Sequence, residues 1–469
     1  MALLIYGMKV MSEALQKMAG SQLRHILGTM TKNRFTGLIT GMFVTASVQS
    51  STATTVMTVS FVNAGLLTLA QAISVIMGAN IGTTFTAWIM TLGFSFNMAN
   101  VVFPVFFIAL LLIYRKKHRY VGDFLFGVAF MFFAISTLGA TGKEMDLSHN
   151  QSVIEFFSSF DKDSYLTIFA FLGLGTILTF CMQSSAALMA ITMVLCSSGV
   201  LPIYMGIALV LGENIGTTIT SNIAAMGANT QARRAAMAHL SFNVFGVLWV
   251  LCIFYPFIDM VCGFVGVDPH SGHIDASRLS VVLAAFHTTF NVCNTAVLIW
   301  FIPQMEKLVC TIIKPNAMKD EDDFRLRYIG DNTLMATPEL SVLEARKEIQ
   351  SFAERIQRMF SMVRELLGVK NENDFVKLFT RIEKYEGISD NMEIEIANYL
   401  DKVSDSHLSD ETKAKIRAML REISEIESIG DSCYNIARTL NRKLRGKEDF
   451  TEQQYDHLHQ MFELTDDSL

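Results

Sequence analysis

Two short polar phrases recur in strongly apolar sequence. Gln-Ser-Ser-Thr at positions 49–52 is followed, 134 residues later, by Gln-Ser-Ser at positions 183–185. A second phrase keeps the same offset, reading Gly-Ala-Asn-Ile-Gly-Thr-Thr from Gly78 and Gly-Glu-Asn-Ile-Gly-Thr-Thr from Gly212. Without a gap, 15 of 38 residues are identical between the copies. The chain therefore contains an internal duplication whose shared residues carry hydroxyl and amide groups.

These residue types suit ion binding at a break in a membrane helix. A half-helix that starts at the serines points free N–H groups and its positive dipole end at the break, where an oxyanion binds well. Carbonyls freed at the same break, with Asn and Thr oxygens, suit a small hard cation such as Na+. No Lys or Arg lies in the interior of a predicted membrane segment. A bound cation would therefore supply the positive charge that an anion needs.

The candidate substrate- and sodium-binding residues are those of the repeated phrases: Gln49, Ser50, Ser51, Thr52, Asn80, Thr83, Thr84, Gln183, Ser184, Ser185, Glu213, Asn214, Thr217 and Thr218. Glu213 is the one acid among them, and its counterpart is Ala79. It is either a cation or proton site or a solvated residue at a loop mouth, and the sequence leaves both open. His239 with Asn243, and His287 with Asn291, echo each other, and we interpret them as helix-packing groups.

Hydropathy divides the chain into two parts. Half of the residues, 51%, are hydrophobic and the mean hydropathy is +0.36, but the apolar segments end near residue 303. We predict an all-α membrane domain over 1–313, a linker over 314–338 and a helical bundle over 339–469. The first residues lack the basic start and cleavage site of a signal peptide. We expect a short first membrane helix there, followed by an interfacial stretch from Met11 to Phe35, and leave open whether the sequence includes the helix's beginning.

The basic loops indicate how the segments cross the membrane. Arg34, the cluster at 115–119 and Arg233 with Arg234 should all be cytoplasmic by the positive-inside rule. Three full crossings between Arg34 and the cluster at 115–119 would put these basic loops on opposite sides, so one segment must enter and leave on the same face. The apolar stretches 36–62 and 165–200, each interrupted by a polar phrase, fit such re-entrant hairpins. We predict repeats over about 36–114 and 165–262 with inverted topology, and a single crossing over 236–261, an arrangement typical of secondary transporters.

The charged tail is expected to form an antiparallel bundle of helices with apolar residues three and four apart, over 349–367, 375–400, 409–440 and from 452 onward. Glu386 with Asp390, and Glu427 with Asp431, each place two carboxylates on one helical face. Surface acid pairs of this spacing are common, although metals accept such ligands.

These motifs resemble those of the sodium/phosphate cotransporter family in its bacterial form, with a PhoU-like C-terminal domain. The resemblance covers nearly the whole chain and rests on Gly-Met-Lys at 7–9, the paired phrases, and Ile-Glu-Ser-Ile-Gly-Asp at 426–431, with Ser428 where Arg is usual. Ala186 replaces a serine that many relatives carry. The long cysteine-bearing external loop of animal relatives is absent, which favours a bacterial inner-membrane protein with a cytoplasmic C-terminal domain.

The resemblance implies sodium-coupled transport of inorganic phosphate by alternating access, with Na+ as coupling ion and the paired phrases as the site. It also implies a divalent or iron-type metal at Glu386, Asp390, Glu427 and Asp431. Expected partners are phosphate, sodium and the bilayer but no nucleic acid, with a homodimer left open. Alternatives are export of phosphate or another oxyanion, and a membrane-anchored regulator acting through the tail. An enzyme is not expected, because no nucleophile–base pair or phosphate-cradling loop is evident.

Overall fold

The fold is helical throughout the part of the chain that the structure describes. This computed structural model describes residues 2–29, 31, 33–63, 65–95, 99–115, 118–144, 156, 159–161, 164–269, 276–314, 326, 329, 338–369, 371–404, 410–446, 449–466 and 468. No strand occurs in these ranges, and the all-α prediction is confirmed. Two compact units are present, one formed by Met1–Met226 and Gln231–Lys314 and the other including Pro315–Leu469. Nearly all of the predicted linker, and most of the predicted external loop over 142–163, lie outside the described residues.

The first unit contains the apolar helices. They are α1 (Ala2–Thr29), α2 (Arg34–Val48), α3 (Ser51–Asn63), α4 (Leu69–Ser95), α5 (Ala99–Ile113), α6 (Arg119–Glu144), α7 (Tyr165–Met182), α8 (Ser185–Ser197), α9 (Ile203–Ala224), α10 (Thr230–Cys252), α11 (Phe254–Val265), α12 (Ala276–Leu298), a 3-10 turn (Ile299–Phe301) and α13 (Ile302–Ile312).

Length and composition identify this unit as a membrane domain. Within the described ranges, six segments are long and apolar enough to cross a bilayer: Leu69–Gly93, Arg119–Leu138, Tyr165–Met182, Ile203–Ala224, Thr230–Cys252 and Arg278–Ile312. Large apolar side chains such as Phe103 and Leu166 are 65% and 80% exposed, whereas Thr54 and Asn243 are fully buried. Apolar groups outside and polar groups inside are expected of a protein surrounded by lipid. The prediction of a multi-pass membrane protein is confirmed.

The sequence duplication is also a structural one. Helices α2, α3 and α4 recur as α7, α8 and α9, and each second helix is followed by a left-handed glycine, Gly65 with φ 67° and Gly199 with φ 73°. Each third helix packs on the first helix of its own repeat through a glycine: a Cβ on Gly78 would meet the backbone of Leu38, and one on Gly212 that of Leu172. Only glycine permits backbones to approach so closely.

Helix lengths differ between the two hairpins. Helices α2 and α3 contain 15 and 13 residues, so each extends about 20 Å, too short for a hydrocarbon core of about 30 Å. Helix α8 also has 13 residues, but α7 has 18 and is among the six long apolar segments. Re-entry of the hairpins and inversion of the second repeat stay predictions.

Two details of the predicted order were wrong. The chain from Ala2 to Thr29 forms one helix. The expected interfacial stretch from Met11 to Phe35 is therefore not a separate element, because its residues up to Thr29 continue the first helix. The predicted single crossing over 236–261 is divided into α10 and α11, because the backbone leaves helical geometry at Ile253, with φ −127° and ψ 33°. Hydropathy does not report this break, because both sides of it are apolar. Pro256 does report it, because proline has no N–H to donate to the Cys252 carbonyl and is tolerated in the first turn of α11, where it lies.

The second unit is a bundle of amphipathic helices, α14 (Pro338–Gly368), α15 (Glu372–Ser404), α16 (Asp410–Gly446) and α17 (Glu452–Asp466). The first three pack against one another around buried apolar residues that include Phe352, Ile382 and Ile423. Helix α17 covers α14 through Phe462, whose ring centroid lies 5.4 Å from that of Phe360. The predicted helical bundle is confirmed.

Candidate functional site

Both breaks have the same unusual backbone. Gln49 after α2 and Gln183 after α7 have φ of 57° and 51°, and they are the only non-glycine residues with positive φ in the described part of the chain. Left-handed geometry costs a side-chain-bearing residue about 1–2 kcal/mol. Each glutamine thus ends its helix in the left-handed conformation, and the two repeats share this ending.

A new helix begins directly after each strained glutamine. Ser50 Oγ accepts a hydrogen bond from the Ala53 N–H at 3.2 Å, and Ser184 Oγ accepts one from the Ala187 N–H at 3.2 Å. Each serine therefore caps its helix, and its hydroxyl hydrogen stays available to donate. The N–H groups of the next two residues, including Ser51, have no partner within an α-helix. Each break thus presents donors at a positive helix end, as predicted.

The surroundings of the two glutamines differ. Gln49 is half-buried, its Oε1 accepts from Thr86 Oγ1 at 2.9 Å, and its Nε2 donates to the Ala46 carbonyl. Gln183 is exposed, and its side chain has no hydrogen bond to the described residues. Thr86 was missed by sequence reasoning, which had no means of pairing it with a residue 37 positions away.

The second repeated phrase lies inside continuous helices, α4 and α9. Its glycines therefore form no turn, and they allow the close approach of the neighbouring backbones described above. Its donors are used within the helix, because Asn80 Nδ2 donates to the Ile76 carbonyl at 2.9 Å and Asn214 Nδ2 to that of Val210 at 2.8 Å.

The threonines of the phrase behave in the same way. Thr83 and Thr217 each donate to the carbonyl four residues earlier at 3.0 Å, and Thr84 and Thr218 to that three residues earlier at 2.8 and 2.7 Å. Their remaining lone pairs make these hydroxyls acceptors for a ligand. The breaks therefore present donors, suited to an anion, whereas these phrases present acceptors, suited to a cation.

Two further helices contact the repeated asparagines. Asn243 Nδ2 of α10 donates to Asn80 Oδ1 at 3.4 Å, and His287 Nε2 of α12 lies 3.4 Å from Asn214 Oδ1. All four residues are buried. The echo of His239–Asn243 and His287–Asn291 was the signal that could have revealed these contacts, but we interpreted it as packing alone.

Contacts between the repeats bring the two halves together. Helix α3 of the first repeat packs against α9 of the second, and α8 of the second packs against α4 of the first. Helix α12 packs against α4, α8 and α9. The helices that begin at the two breaks thus each pack against the helix that carries the polar phrase of the opposite repeat.

Three of the four predicted carboxylates in the bundle converge. Glu386, Asp390 and Asp431 each offer an oxygen, and these atoms lie within 4.8 Å of one another, whereas Glu427 is not part of this group. Partial burial, and then the charges of Asp390 and Asp431, raise the pKa of Glu386. Burial followed by Asp431 raises the pKa of Glu427. The group is therefore a site of concentrated negative charge whose oxygens fit a hard cation.

Comparison with known proteins identifies both units. The family described as "Na+/Pi-cotransporter" matches residues 3–140 and 154–262, and the "PhoU domain" matches residues 349–440. The predicted resemblance is confirmed for both. Because the first is a family of transporters, the expectation of a transporter rather than an enzyme is confirmed too.

Three individual relatives share between 25% and 39% of the aligned residues with this chain. The chain is 25% identical over 370 residues to "Putative inorganic phosphate export protein YjbB" of Escherichia coli (strain K12), an alignment that covers 78% of this chain and 64% of that protein. It is 30% identical over 263 residues to "Uncharacterized protein YqeW" of Bacillus subtilis (strain 168), covering 55% and 80%. It is 39% identical over 92 residues to "Sodium-dependent phosphate transport protein 2A" of Ovis aries, covering 19% and 14%. No solved structure is significantly similar.

Proposed function

Because the chain belongs to the Na+/Pi-cotransporter family, we propose that it moves inorganic phosphate across a membrane by sodium-coupled secondary transport. The observation that carries this proposal is the matched pair of breaks, each a left-handed glutamine followed by a serine-capped helix start. The relatives named for phosphate export and for sodium-dependent phosphate transport support the choice of substrate and ion.

Phosphate binds between the two breaks in this proposal. The first-turn N–H groups of α3 and α8 and the hydroxyls of Ser50, Ser51, Ser184 and Ser185 donate to its oxygens. Thr52 adds a hydroxyl in the first repeat, while Ala186 adds none in the second. The two helix ends supply partial positive charge, which substitutes for the Lys or Arg that a soluble phosphate site would use.

Sodium binds beside the phosphate at the acceptor oxygens of the second phrases. Asn80, Thr83 and Thr84 contribute in one repeat, and Asn214, Thr217 and Thr218 in the other. Their donors are satisfied within α4 and α9, so the side-chain oxygens can coordinate a cation without competing for protons. The cation then neutralises part of the charge of the phosphate, which couples the binding of the two ions.

Transport follows from exchange of access between the two sides of the membrane. The crossed packing of α3 on α9 and of α8 on α4 supports two repeats of inverted topology, related by an approximate two-fold axis. Rocking of one repeat against the other would open the breaks to each side in turn. We place the protein in a bacterial inner membrane with a cytoplasmic bundle, as the basic loops favour.

The bundle would hold a divalent or iron-type metal. Glu386, Asp390 and Asp431 would supply its ligands, and Glu427 on the same face of α16 as Asp431 would complete them after a side-chain rearrangement. Such a metal would relieve the carboxylate repulsion on this surface.

Flux of labelled phosphate into proteoliposomes tests the proposal. We expect uptake that follows an inward sodium gradient and falls at least tenfold when choline replaces sodium on both sides. Equal flux under both conditions would exclude sodium coupling, and no flux in either direction would exclude phosphate transport.

Export is the second candidate, and the name of the Escherichia coli relative favours it. Net direction follows from the combined gradients of the coupled ions. Phosphate-loaded right-side-out vesicles would distinguish the candidates: efflux against an inward sodium gradient supports export, and accumulation supports sodium-driven uptake.

A further inference from the structure

The second repeat contains a buried carboxyl that the first repeat lacks. Glu213 is 1% exposed in the interior of α9, and its Oε2 atom makes no hydrogen bond to any described residue. The equivalent position in α4 is Ala79, also buried. The flanking Asn and Thr residues make matching hydrogen bonds in both helices. The two halves of the site therefore differ at one ionisable group within a shared scaffold.

No ion pair to this carboxyl occurs among the residues that the structure describes. Helices α3, α7, α8 and α12 pack against α9, and their only Lys, Arg, Asp or Glu residue is Arg278 at the start of α12. Helices α10 and α11 also contact α9, through the Asn222–Ala236 and Tyr204–Asp259 hydrogen bonds. They add Asp259, the exposed Arg233, and Arg234, whose Nε donates to the Ile313 carbonyl. Arg278 is exposed and its Nη1 donates to the Gly266 carbonyl at 3.0 Å. The other titratable groups on α3, α7, α8 and α12 are His287, Tyr165 and three cysteines, of which Cys196 is buried. A carboxylate in such surroundings requires a bound cation or a proton.

The polar residues that follow Glu213 on α9 offer acceptors. Asn214 Nδ2 and Thr217 Oγ1 are already donating to carbonyls within α9. Since Asn214 Oδ1 can only accept, the facing Nε2 of His287 carries the hydrogen, and its Nδ1 is left as a buried acceptor without a hydrogen bond to the described residues. Carboxylate, amide and hydroxyl oxygens together are the ligand set of a hard cation.

We propose that Glu213 is a ligand of the Na+ ion in the second repeat, a ligand that has no equivalent in the first, and that His287 positions Asn214 beside it. This inference rests on the proposed function, which it deepens by assigning the coupling ion unequally to the two halves. The second half-site binds the cation through a full negative charge, whereas the first has only neutral oxygens.

Sodium-dependent thermal stabilisation of the full-length protein in detergent, without phosphate, tests the inference apart from transport. Wild type should melt at a higher temperature in NaCl than in choline chloride. Glu213→Gln and Glu213→Ala should lower the apparent sodium affinity at least tenfold. Glu306→Gln on α13, the same chemical change at a half-buried position outside the site, should keep the wild-type shift. Should neither Glu213 variant fold, Glu213→Asp should weaken sodium affinity severalfold.

His287 is tested by the difference between two variants. His287→Gln retains a donor for Asn214 and should preserve most of the sodium affinity, whereas His287→Phe should lose it severalfold. Equal affinities for these two variants would refute the positioning role.

The outcomes separate this inference from the proposed function. Wild type with neither a sodium shift nor sodium-dependent flux would refute the function itself. Wild type with both, and Glu213→Gln with both unchanged, would refute only the site at Glu213. The melting temperature measured against pH gives the third outcome. If Glu213→Gln removed a pH dependence seen in wild type but kept the wild-type sodium affinity, Glu213 would be a proton site and the assignment of Na+ would be wrong.

Discussion

Replacing Gln183 by glycine should make the protein more stable and inactive. The residue holds a left-handed backbone, with φ 51°, and its exposed side chain makes no hydrogen bond to the described residues. Glycine relieves about 1–2 kcal/mol of strain but loses about 0.4–1 kcal/mol through the greater freedom of the unfolded chain. Gln183→Gly should therefore gain about 0.5–1 kcal/mol. Transport should fall at least tenfold, because the side chain at the second break is gone.

Gln49→Gly provides the internal comparison. It relieves the same strain but removes the hydrogen bond from Thr86 to Gln49, worth about 0.5–1.5 kcal/mol. Its stability should therefore equal or fall below that of wild type. Gly65→Ala calibrates the strain, because a Cβ there meets no atom within 4 Å and changes only the backbone preference. It should lose about 0.5–1 kcal/mol.

The assay is equilibrium unfolding in detergent micelles with increasing SDS, paired with phosphate flux in proteoliposomes. A Gln183→Gly variant that transports at the wild-type rate would show that the strained glutamine has no role in transport. A Gln183→Gly variant that unfolds more easily than Gln49→Gly would refute the argument that glycine relieves backbone strain at position 183.

Three further predictions follow from the site, the repeat packing and the bundle. Ser51→Ala and Ser185→Ala should each reduce phosphate flux at least tenfold while the purified protein keeps its elution volume, and wild-type flux would exclude both hydroxyls. Gly212→Ala should lose about 1–3 kcal/mol in SDS unfolding, because its Cβ would lie 2.8 Å from the Thr176 nitrogen, whereas Gly173→Ala, with open space around it, should lose none. The raised pKa of Glu386 means that the folded bundle binds its proton more tightly than the unfolded chain does, so the carboxylate group destabilises the bundle increasingly as the pH rises through that pKa. Asp390→Asn should stabilise α15 by about 0.2–0.5 kcal/mol at neutral pH, seen as slower hydrogen exchange in the intact protein, with a smaller effect in acid. A larger effect in acid would contradict this sign.

Much of the architecture was available from local sequence. The duplicated phrases at a constant offset predicted both breaks, since a polar run in an apolar segment is costly unless it lines a cavity or is buried in protein. Apolar periodicity likewise predicted the bundle. The division between α10 and α11 at Ile253 was missed because the segment was placed by hydropathy alone, although Pro256 signals it: proline has no N–H to donate to the Cys252 carbonyl.

Only part of the site could be predicted, because the sequence does not show which helices lie next to each other. Repetition identified Asn80 and Asn214, but their partners Asn243 and His287 come from α10 and α12, outside the three helices that recur in each repeat. The two residues of each contact are 163 and 73 positions apart in the sequence, so tertiary packing brings them together. The distinction between donors at the breaks and acceptors in the second phrases also required the hydrogen bonds themselves. Sequence had grouped all fourteen residues into one set.

The position of a bound oxyanion tests the central claim most directly. Arsenate has the shape and charge of phosphate, and its arsenic atom gives an anomalous X-ray signal that locates it without ambiguity. We predict one arsenic peak between the start of α3 at Ser51 and the start of α8 at Ser185, with its oxygens within hydrogen-bond distance of both first turns. A peak elsewhere in the membrane unit, or at only one of the two breaks, would contradict a site shared by the two repeats.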